Sequence, residues 1–428
     1  MHGPGTDRKD GNHLVPLGEA RDHVLARCRT LDPVERDLAH AVGTVLAVPV
    51  RAAHDVPPFA NSAMDGYALR AADSAGAPVT LTVVGAVMAG EVPAVPVGPG
   101  QVVRIMTGAP VPDGADAVCK VERTRPGEPG TVVIERSVDP GENLRSPGED
   151  MAAGDEVFGP GTVITPAHVG VLASLGVEAV TVHPRPRVAV LATGDELVSG
   201  PAPLAPGKIH DANRPALLAQ LAEDGFVPVD LGQVGDDPDA VAAALERGAG
   251  AADAVVVTGG VSVGDRDVAK EVVGRLCDDM RWMQVAIKPA KPFAFGIMTA
   301  SGVPVFGLPG NPVSALVSYE LFARPALRQR AGHRRLDRPR LAAVADADLR
   351  RRPDGKLHLM RVVAQAGPDG TVRVRPLAGQ ASHHLRSLAD ADALALVPDG
   401  DGVRAGEAVE VLVVDADRLA GPDRSWGG

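Results

Sequence analysis

Between residues 184 and 332 strand-like and helix-like segments take turns, and that alternation constrains the fold more than any other feature of the 428-residue chain. Val188–Thr193 is a short apolar run of the kind that a fully buried strand needs. Asn213, read as an N-cap, and Pro215 open a helical stretch that stops at Gly225. Val227–Leu231 is the next strand, and Asp237-Pro238 starts a helix that runs to Arg247. Ala254–Thr258 is a third strand, ending in Gly259-Gly260-Val261-Ser262-Val263-Gly264. Val268–Leu276 predicts a helix, Trp282–Ile287, Phe293–Met298 and Val303–Leu308 predict strands, and a last helix begins at Pro312. Such a series buries both faces of a sheet as a doubly wound α/β domain with a mostly parallel sheet.

The remainder of the chain has different rhythms. Residues 13–48 show helical spacing, with Leu17, Ala20, Val24, Leu25 and Cys28 on one face. Residues 49–148 break into short β-rich runs punctuated by Pro and Gly, which predicts an all-β insert. Helical signal returns at Thr165-Pro166, so residues 13–48 and 149–183 read as one discontinuous helical domain around that insert. Residues 333–418 again carry short strands and turns and read as a small C-terminal β domain. The fold class is therefore multidomain, α+β and α/β together.

Charge and cysteine usage narrow the partners. Net charge is −11, and the one basic stretch, Arg324 to Arg340, reads as a solvated helix end and linker, so no nucleic acid is expected. No run of 18 apolar residues exists, so no membrane span is expected. Cys28, Cys119 and Cys277 match neither a disulfide framework nor a zinc spacing, in keeping with a cytoplasmic location.

In open α/β sheets the ligand sits beyond the carboxyl ends of the strands. Five strand ends here deliver polar groups to that edge: Gly194-Asp195-Glu196, Gly235-Asp236-Asp237, the glycine turn with Asp265 and Asp267, Lys288 with Lys291, and Pro309-Gly310-Asn311-Pro312-Val313-Ser314. The chain has only seven lysines among its 43 basic residues, yet two sit three apart between prolines in Lys288-Pro289-Ala290-Lys291-Pro292. A lysine is a compact point charge where arginine is a planar fork, so a stiffened lysine pair suits a phosphate or oxyanion. The glycine turn offers backbone N–H groups to the same anion. Carboxylates at Glu196, Asp236 and Asp267 suit a divalent cation bridging to phosphate, and Asp237 suits a helix cap. Gly260-Val261-Ser262-Val263-Gly264 spells a nucleophile elbow, but no helix starts directly after Ser262 and no histidine lies between His210 and His333.

Three further polar turns lie outside this domain: Asn61-Ser62-Ala63-Met64-Asp65-Gly66-Tyr67-Ala68, Arg104-Ile105-Met106-Thr107-Gly108-Ala109-Pro110 and Gly148-Glu149-Asp150. The first two of these strings, with Thr193-Gly194-Asp195-Glu196-Leu197, Gly259–Gly264 and Gly307-Leu308-Pro309-Gly310-Asn311-Pro312-Val313-Ser314, resemble the MoeA family, which also includes the E domain of gephyrin. The likeness runs from about residue 14 to 415. It implies molybdopterin molybdenumtransferase activity, the last step of molybdenum cofactor synthesis, in which adenylylated molybdopterin takes up molybdate and AMP leaves. It also implies assistance by Mg²⁺, a MogA-like α/β domain, a C-terminal β-barrel, and a homodimer supplied by a molybdopterin adenylyltransferase. Asp65, Thr107, Asp150, Glu196, Lys288 and Lys291 fall on family positions tied to catalysis, with Asp65, Glu196 and Asp236 as metal candidates. Substrate contacts are implied at Asn61, Ser62, Asp236, Gly259, Gly260, Ser262, Gly264, Asp267, Pro309, Gly310, Asn311, Pro312, Ser314, Arg361 and Ser382. Ala290 stands where the family commonly has glycine, and Ala212 where it has a hydroxyl residue. The competing readings are an adenylyltransferase of the MogA/MoaB type and a non-enzymatic scaffold of the gephyrin kind.

Overall fold

The computed structural model describes residues 14–259, 268–367 and 369–420. Its chain divides into two units. One runs to Val34, includes Gly43–Val45 and resumes at His183, while the other holds Glu35–Val42 and Leu46–Val182.

Helix α1 (Leu17–Leu25) opens the first of these units, and its apolar face settles on the α/β core: Ala20, Val24 and Cys28 share one buried cluster with Phe295, Phe306 and Leu327. Residues 13–48, expected to form a helical domain with 149–183, thus place their first helix in the α/β unit. A nine-residue helix with one apolar stripe needs a broad apolar partner, and the sheet provides it.

The second unit carries the β insert. Its strands are β1 (Gly66–Leu69), β2 (Val79–Val87), β3 (Gln101–Ile105), β4 (Ala117–Lys120), β5 (Thr124–Pro126) and β6 (Thr131–Ile134), in the order β4-β1-β3-β2-β6-β5. Buried clusters cover both faces, one around Leu69, Leu81 and Ile134 and the other around Val87, Val103 and Ile105. After the insert comes α2 (Pro166–Ser174), whose capping box at Thr165 and His168 bears out the expected start. Leu172 of that helix packs with Ala41, Leu46, Ile164 and Val180.

The α/β domain of the first unit follows the predicted series. Its elements are β7 (Arg187–Thr193), α3 (Asn213–Glu223), β8 (Val227–Val234), α4 (Pro238–Ala251), β9 (Ala254–Thr258), α5 (Val268–Leu276), β10 (Cys277–Gln284), β11 (Pro292–Met298), β12 (Pro304–Leu308) and α6 (Pro312–Ser318). The sheet order is β8-β7-β9-β12-β11-β10. Strands β8, β7, β9 and β12 are parallel, whereas β11 runs antiparallel to both its neighbours. The strand expected at Trp282–Ile287 starts earlier and ends at Gln284, because its ladder to β11 closes at Gln284 opposite Pro292. Two antiparallel steps restore the direction of β12 in β10, so the turn from Val285 to Lys291 lies at the carboxyl edge of the parallel strands. A bond from Val285 N to Lys291 O of 2.7 Å closes that turn.

The C-terminal strands β13 (Arg340–Ala345), β14 (Leu357–Ala366), β15 (Val372–Pro376), β16 (Ala393–Val397) and β17 (Ala408–Val413) pair in the order β14-β15-β13-β17-β16, and β16 pairs back with β14 to close a barrel. Met360, Val362, Val374, Ala395 and Val411 fill it. The residues Ile287–Lys288 add a short parallel strand beside β14, with Lys288 opposite His358.

The arginine-rich linker departs from expectation. Asp224, at the end of α3, accepts from Tyr319 Oη (2.8 Å) and Arg324 Nε (2.8 Å), and a guanidinium nitrogen of Arg338 lies 3.0 Å from the same carboxylate. Arg338 also pairs with Glu320 at 2.9 Å. The side chains of Arg324, Asp224 and Glu320 are under one-tenth exposed, so the linker begins as a buried ion network rather than a solvated charge run. A π-helical turn at Tyr319–Ala323 follows α6 in the same helical stretch and carries Tyr319 and Glu320. Among the described residues no helix is long and apolar enough to cross a membrane.

Candidate functional site

The carboxyl ends of β7, β9 and β12 open into a cavity of about 390 Å³. It is lined by Thr193 and Glu196 after β7, by Thr258 and Gly259 after β9, and by Pro309–Pro312 after β12. His210, Asp211, Ala212 and Asn213 add the approach to α3, and Pro292 adds the residue after Lys291. This is the place a doubly wound sheet reserves for a ligand.

Local chemistry explains each wall. Gly259 sits at φ 89°, and a Cβ there would come within 2.3 Å of the Thr193 carbonyl, so only glycine lets the β9 turn lie against β7. Helix α6 starts at Pro312, which suits the first helical position, and Asn311 supplies no side-chain cap. The positive end of that helix is therefore turned toward the cavity rim. Asp211, not Asn213, caps α3: its carboxylate accepts from Arg214 N at 3.1 Å and from Arg214 Nε at 2.9 Å. The buried acid is thus neutralised beside a cavity suited to anions.

Freed from capping, the Asn213 carboxamide joins the two turns. Its Nδ2 donates to Thr258 Oγ1 at 2.7 Å and to the Gly310 carbonyl at 2.8 Å. Thr258 Oγ1 donates onward to the Pro309 carbonyl at 3.4 Å, and Thr193 Oγ1 donates to the Thr258 carbonyl at 3.5 Å.

Neither lysine of the pair is among the residues lining the cavity, nor is Ser314. Ser314 is buried in the first turn of α6, Lys288 is exposed and Lys291 half-buried. Among the described residues neither ammonium has an ion-pair or hydrogen-bond partner, in a chain with 54 acidic residues. Between them Ala290 is buried with φ 75°, the left-handed region, and the Lys288–Pro289 bond is cis. An alanine thus performs a turn that suits glycine.

The two barrel residues play different parts. Arg361 is fully buried. Its guanidinium donates to Ser387 Oγ (3.0 Å), to the Gly379 carbonyl (2.7 Å) and to the Ala381 carbonyl (3.1 Å), while Nη1 has no partner among the described residues. Burial pushes its pKa down to about 10. The next residue of that loop, Ser382, accepts from Val313 N at 3.1 Å through its carbonyl. Arg361 therefore holds the loop that docks on the start of α6.

In the other unit, the three polar turns that had no evident relation in sequence converge. Asn61-Ser62 pairs with Leu144-Arg145 on one side, and Ser62 exchanges backbone bonds with Gly108 and Ala109 on the other. Gly148 N and Asp150 N donate to the Pro57 and Val56 carbonyls, each at 3.0 Å. Asp65 Oδ1 accepts from both Thr107 N and Thr107 Oγ1 at 2.8 Å, and these bonds, the backbone one foremost, hold its carboxyl below the usual carboxylate range. Asp65, Thr107 and Asp150 are exposed. Asn61 and Ser62 are buried, with Ser62 Oγ donating to the Met64 carbonyl at 2.5 Å, so they build the turn that presents Asp65.

Gly260, Ser262, Gly264 and Asp267 lie outside the described residues. Among the described residues no three His, Cys, Asp or Glu side chains gather as a metal site. Glu196, exposed on the cavity wall, fits the one or two carboxylates that Mg²⁺ takes alongside phosphate oxygens. Asp236 is exposed and lies outside the cavity lining, its backbone N bound to Asp195 Oδ1 at 3.1 Å. Sequence reasoning missed Asn213, Thr258 and Thr193 as site residues. The buried threonine that ends each of β7 and β9 was the signal available.

Comparison with known proteins finds three family models in order along the chain. They are the MoeA N-terminal region (domain I and II) over residues 15–176, a probable molybdopterin binding domain over 189–329, and the MoeA C-terminal region (domain IV) over 343–414. Molybdopterin molybdenumtransferase 2 of Mycobacterium tuberculosis is 40% identical over 401 residues, covering 92% of this chain and 97% of that protein. The molybdopterin molybdenumtransferase of Nostoc is 36% identical over 391 residues, covering 88% and 87%. The crystal structure of a molybdopterin biosynthesis MoeA protein from Pyrococcus horikoshii superposes with a TM-score of 0.79 at 29% identity, covering 94% of this chain and all of that one.

Proposed function

The chain belongs to the MoeA family, and we propose on that premise that it is a molybdopterin molybdenumtransferase. It takes adenylylated molybdopterin, supplied by an adenylyltransferase, places molybdate at the dithiolene and releases AMP. The observation that carries this reading is the cavity where the turns after β7, β9 and β12 meet.

The chain's own groups divide the work. The Pro309–Pro312 turn and the start of α6 receive the phosphate-bearing part of the substrate. Lys288 and Lys291, at the same sheet edge and without an ion-pair partner among the described residues, hold molybdate and offset negative charge as it develops. Glu196 would hold Mg²⁺, which when bound would supply charge neutralisation beside the phosphate-bearing part of the substrate. In the other unit the acids that serve the reaction are Asp65, whose carboxyl the Thr107 bonds hold below the usual range, and Asp150. We also propose a homodimer working in the cytoplasm, a state that sedimentation equilibrium of the purified protein tests.

The direct test mixes the purified protein with adenylylated molybdopterin, Mg²⁺ and molybdate and follows AMP. Release that depends on molybdate is expected. Folded protein that releases none would overturn the enzyme reading, and replacement by tungstate reads the metal preference.

A further inference from the structure

We propose that Asn213 is a positioning residue for this cavity: its carboxamide sets the spacing between the turn after β9 and the turn after β12. The inference rests on the reading of the cavity as the substrate site. Three observations carry it. Asn213 is at the first position of α3, just past the N-cap Ala212, and the carboxylate that accepts from the first turn comes from Asp211, so its carboxamide is free for other partners. Both protons of its Nδ2 are spent, one on Thr258 Oγ1 at 2.7 Å and one on the Gly310 carbonyl at 2.8 Å. The Thr258 hydroxyl, itself buried, passes its own proton to the Pro309 carbonyl at 3.4 Å. One amide and one hydroxyl thus bridge three elements that border the ligand space, and Gly259 and Gly310 are close enough for a Cβ on Gly310 to lie 3.9 Å from the Gly259 Cα.

The geometry has a direction. With both amide protons engaged, the group Asn213 has left is Oδ1, an acceptor with no protein partner among the described residues. An aspartate of the same shape could not donate to either turn and would add a negative charge to a cavity suited to anions. Asn213 is therefore required for its donors rather than for its size.

The test compares Thr258→Ser, Thr258→Val, Asn213→Ala and wild type. Serine keeps the hydroxyl that accepts from Asn213, whereas valine keeps the shape of threonine and removes it. Hydrogen exchange at Gly310, Asn311 and Val313 should quicken in Thr258→Val and Asn213→Ala and stay near wild type in Thr258→Ser. In the AMP-release assay KM for adenylylated molybdopterin should rise about tenfold in the first two, the size expected for losing a hydrogen bond in a part-buried network, with kcat little changed. Thr258→Ser should stay within about twofold of wild type, well inside the effect of one hydrogen bond. Exchange in Thr258→Val that matches Thr258→Ser would overturn the clamp. Faster exchange with an unchanged KM would overturn its positioning role. Wild-type protein that releases no AMP would sink the assigned reaction instead, and the exchange rates would still decide the clamp.

Discussion

Replacing Ala290 by glycine tests whether the lysine segment stores backbone strain. Ala290 is 2% exposed and holds φ 75° between Lys288 and Lys291. A non-glycine residue pays roughly 1–2 kcal/mol for the left-handed region, which glycine would recover. Against that, the buried methyl is worth about 0.8 kcal/mol. The freer unfolded chain costs about 0.4–1 kcal/mol more. The terms nearly cancel, so Ala290→Gly should lie within about 1 kcal/mol of wild type, the difference between those contributions. Ala323 is the control, because it is fully buried at φ −70° and its replacement by glycine recovers nothing. Ala323→Gly should cost about 1.5 kcal/mol from the methyl and chain-entropy contributions alone. The chain has two tryptophans, and Trp282 lies in β10, so urea unfolding followed by fluorescence in a Trp426→Phe background reports on the α/β domain. A loss at Ala290→Gly equal to or greater than that at Ala323→Gly would refute the strain argument.

Lys291→Ala should lower molybdate-dependent AMP release by about a hundredfold or more while circular dichroism stays unchanged, as expected for loss of a preorganised charge. Full activity in that variant would remove the lysine pair from the mechanism. Asp224→Ala leaves Arg324, Arg338 and Tyr319 facing one another without their shared acceptor and should cost about 3–5 kcal/mol in urea unfolding. A loss below about 1 kcal/mol would mean that water replaces the carboxylate. His333 has its pKa pushed down to about 4 by burial and by Arg328 and Arg324, from an ordinary 6.5. The unfolded chain takes that proton first, so this contribution to stability is whole above about pH 6.5 and is lost as pH falls toward 4. The slope is at most about 1.4 kcal/mol per pH unit, and His333→Gln should flatten stability measured across that window.

The α/β series was legible because each segment carries its own local physics. Asp237 caps α4 through the backbone N–H groups of Asp239 and Ala240, and Thr165 caps α2, both as their spacing implied. The lysine pair reached the carboxyl edge by the same logic, since strand direction follows from the order of strands and turns. What one side chain does among several partners was not legible. Asn213 has the sequence signature of a cap, but a carboxamide has two protons and binds whichever acceptors the folded chain brings near it. Those acceptors, Thr258 Oγ1 and the Gly310 carbonyl, are 45 and 97 residues away.

The same division runs through the rest of the protein. Composition and pattern alone determined that a β insert, an α/β domain and a terminal β domain follow one another, because burial of apolar stripes depends on periods of 2 and 3.6 residues within a short window. Tertiary structure decided that Arg324, buried, and Arg338, half-buried, are ion-pair partners rather than solvated charges, because burial is a property of what packs on top. It likewise decided that Arg361 braces a loop from a barrel strand, on the face opposite Met360 and Val362, and that Ala290 turns left-handed, because both depend on where a barrel closes and how a strand enters it. The two lysines are written in the sequence. That neither pairs with a carboxylate among the described residues is written only in the fold.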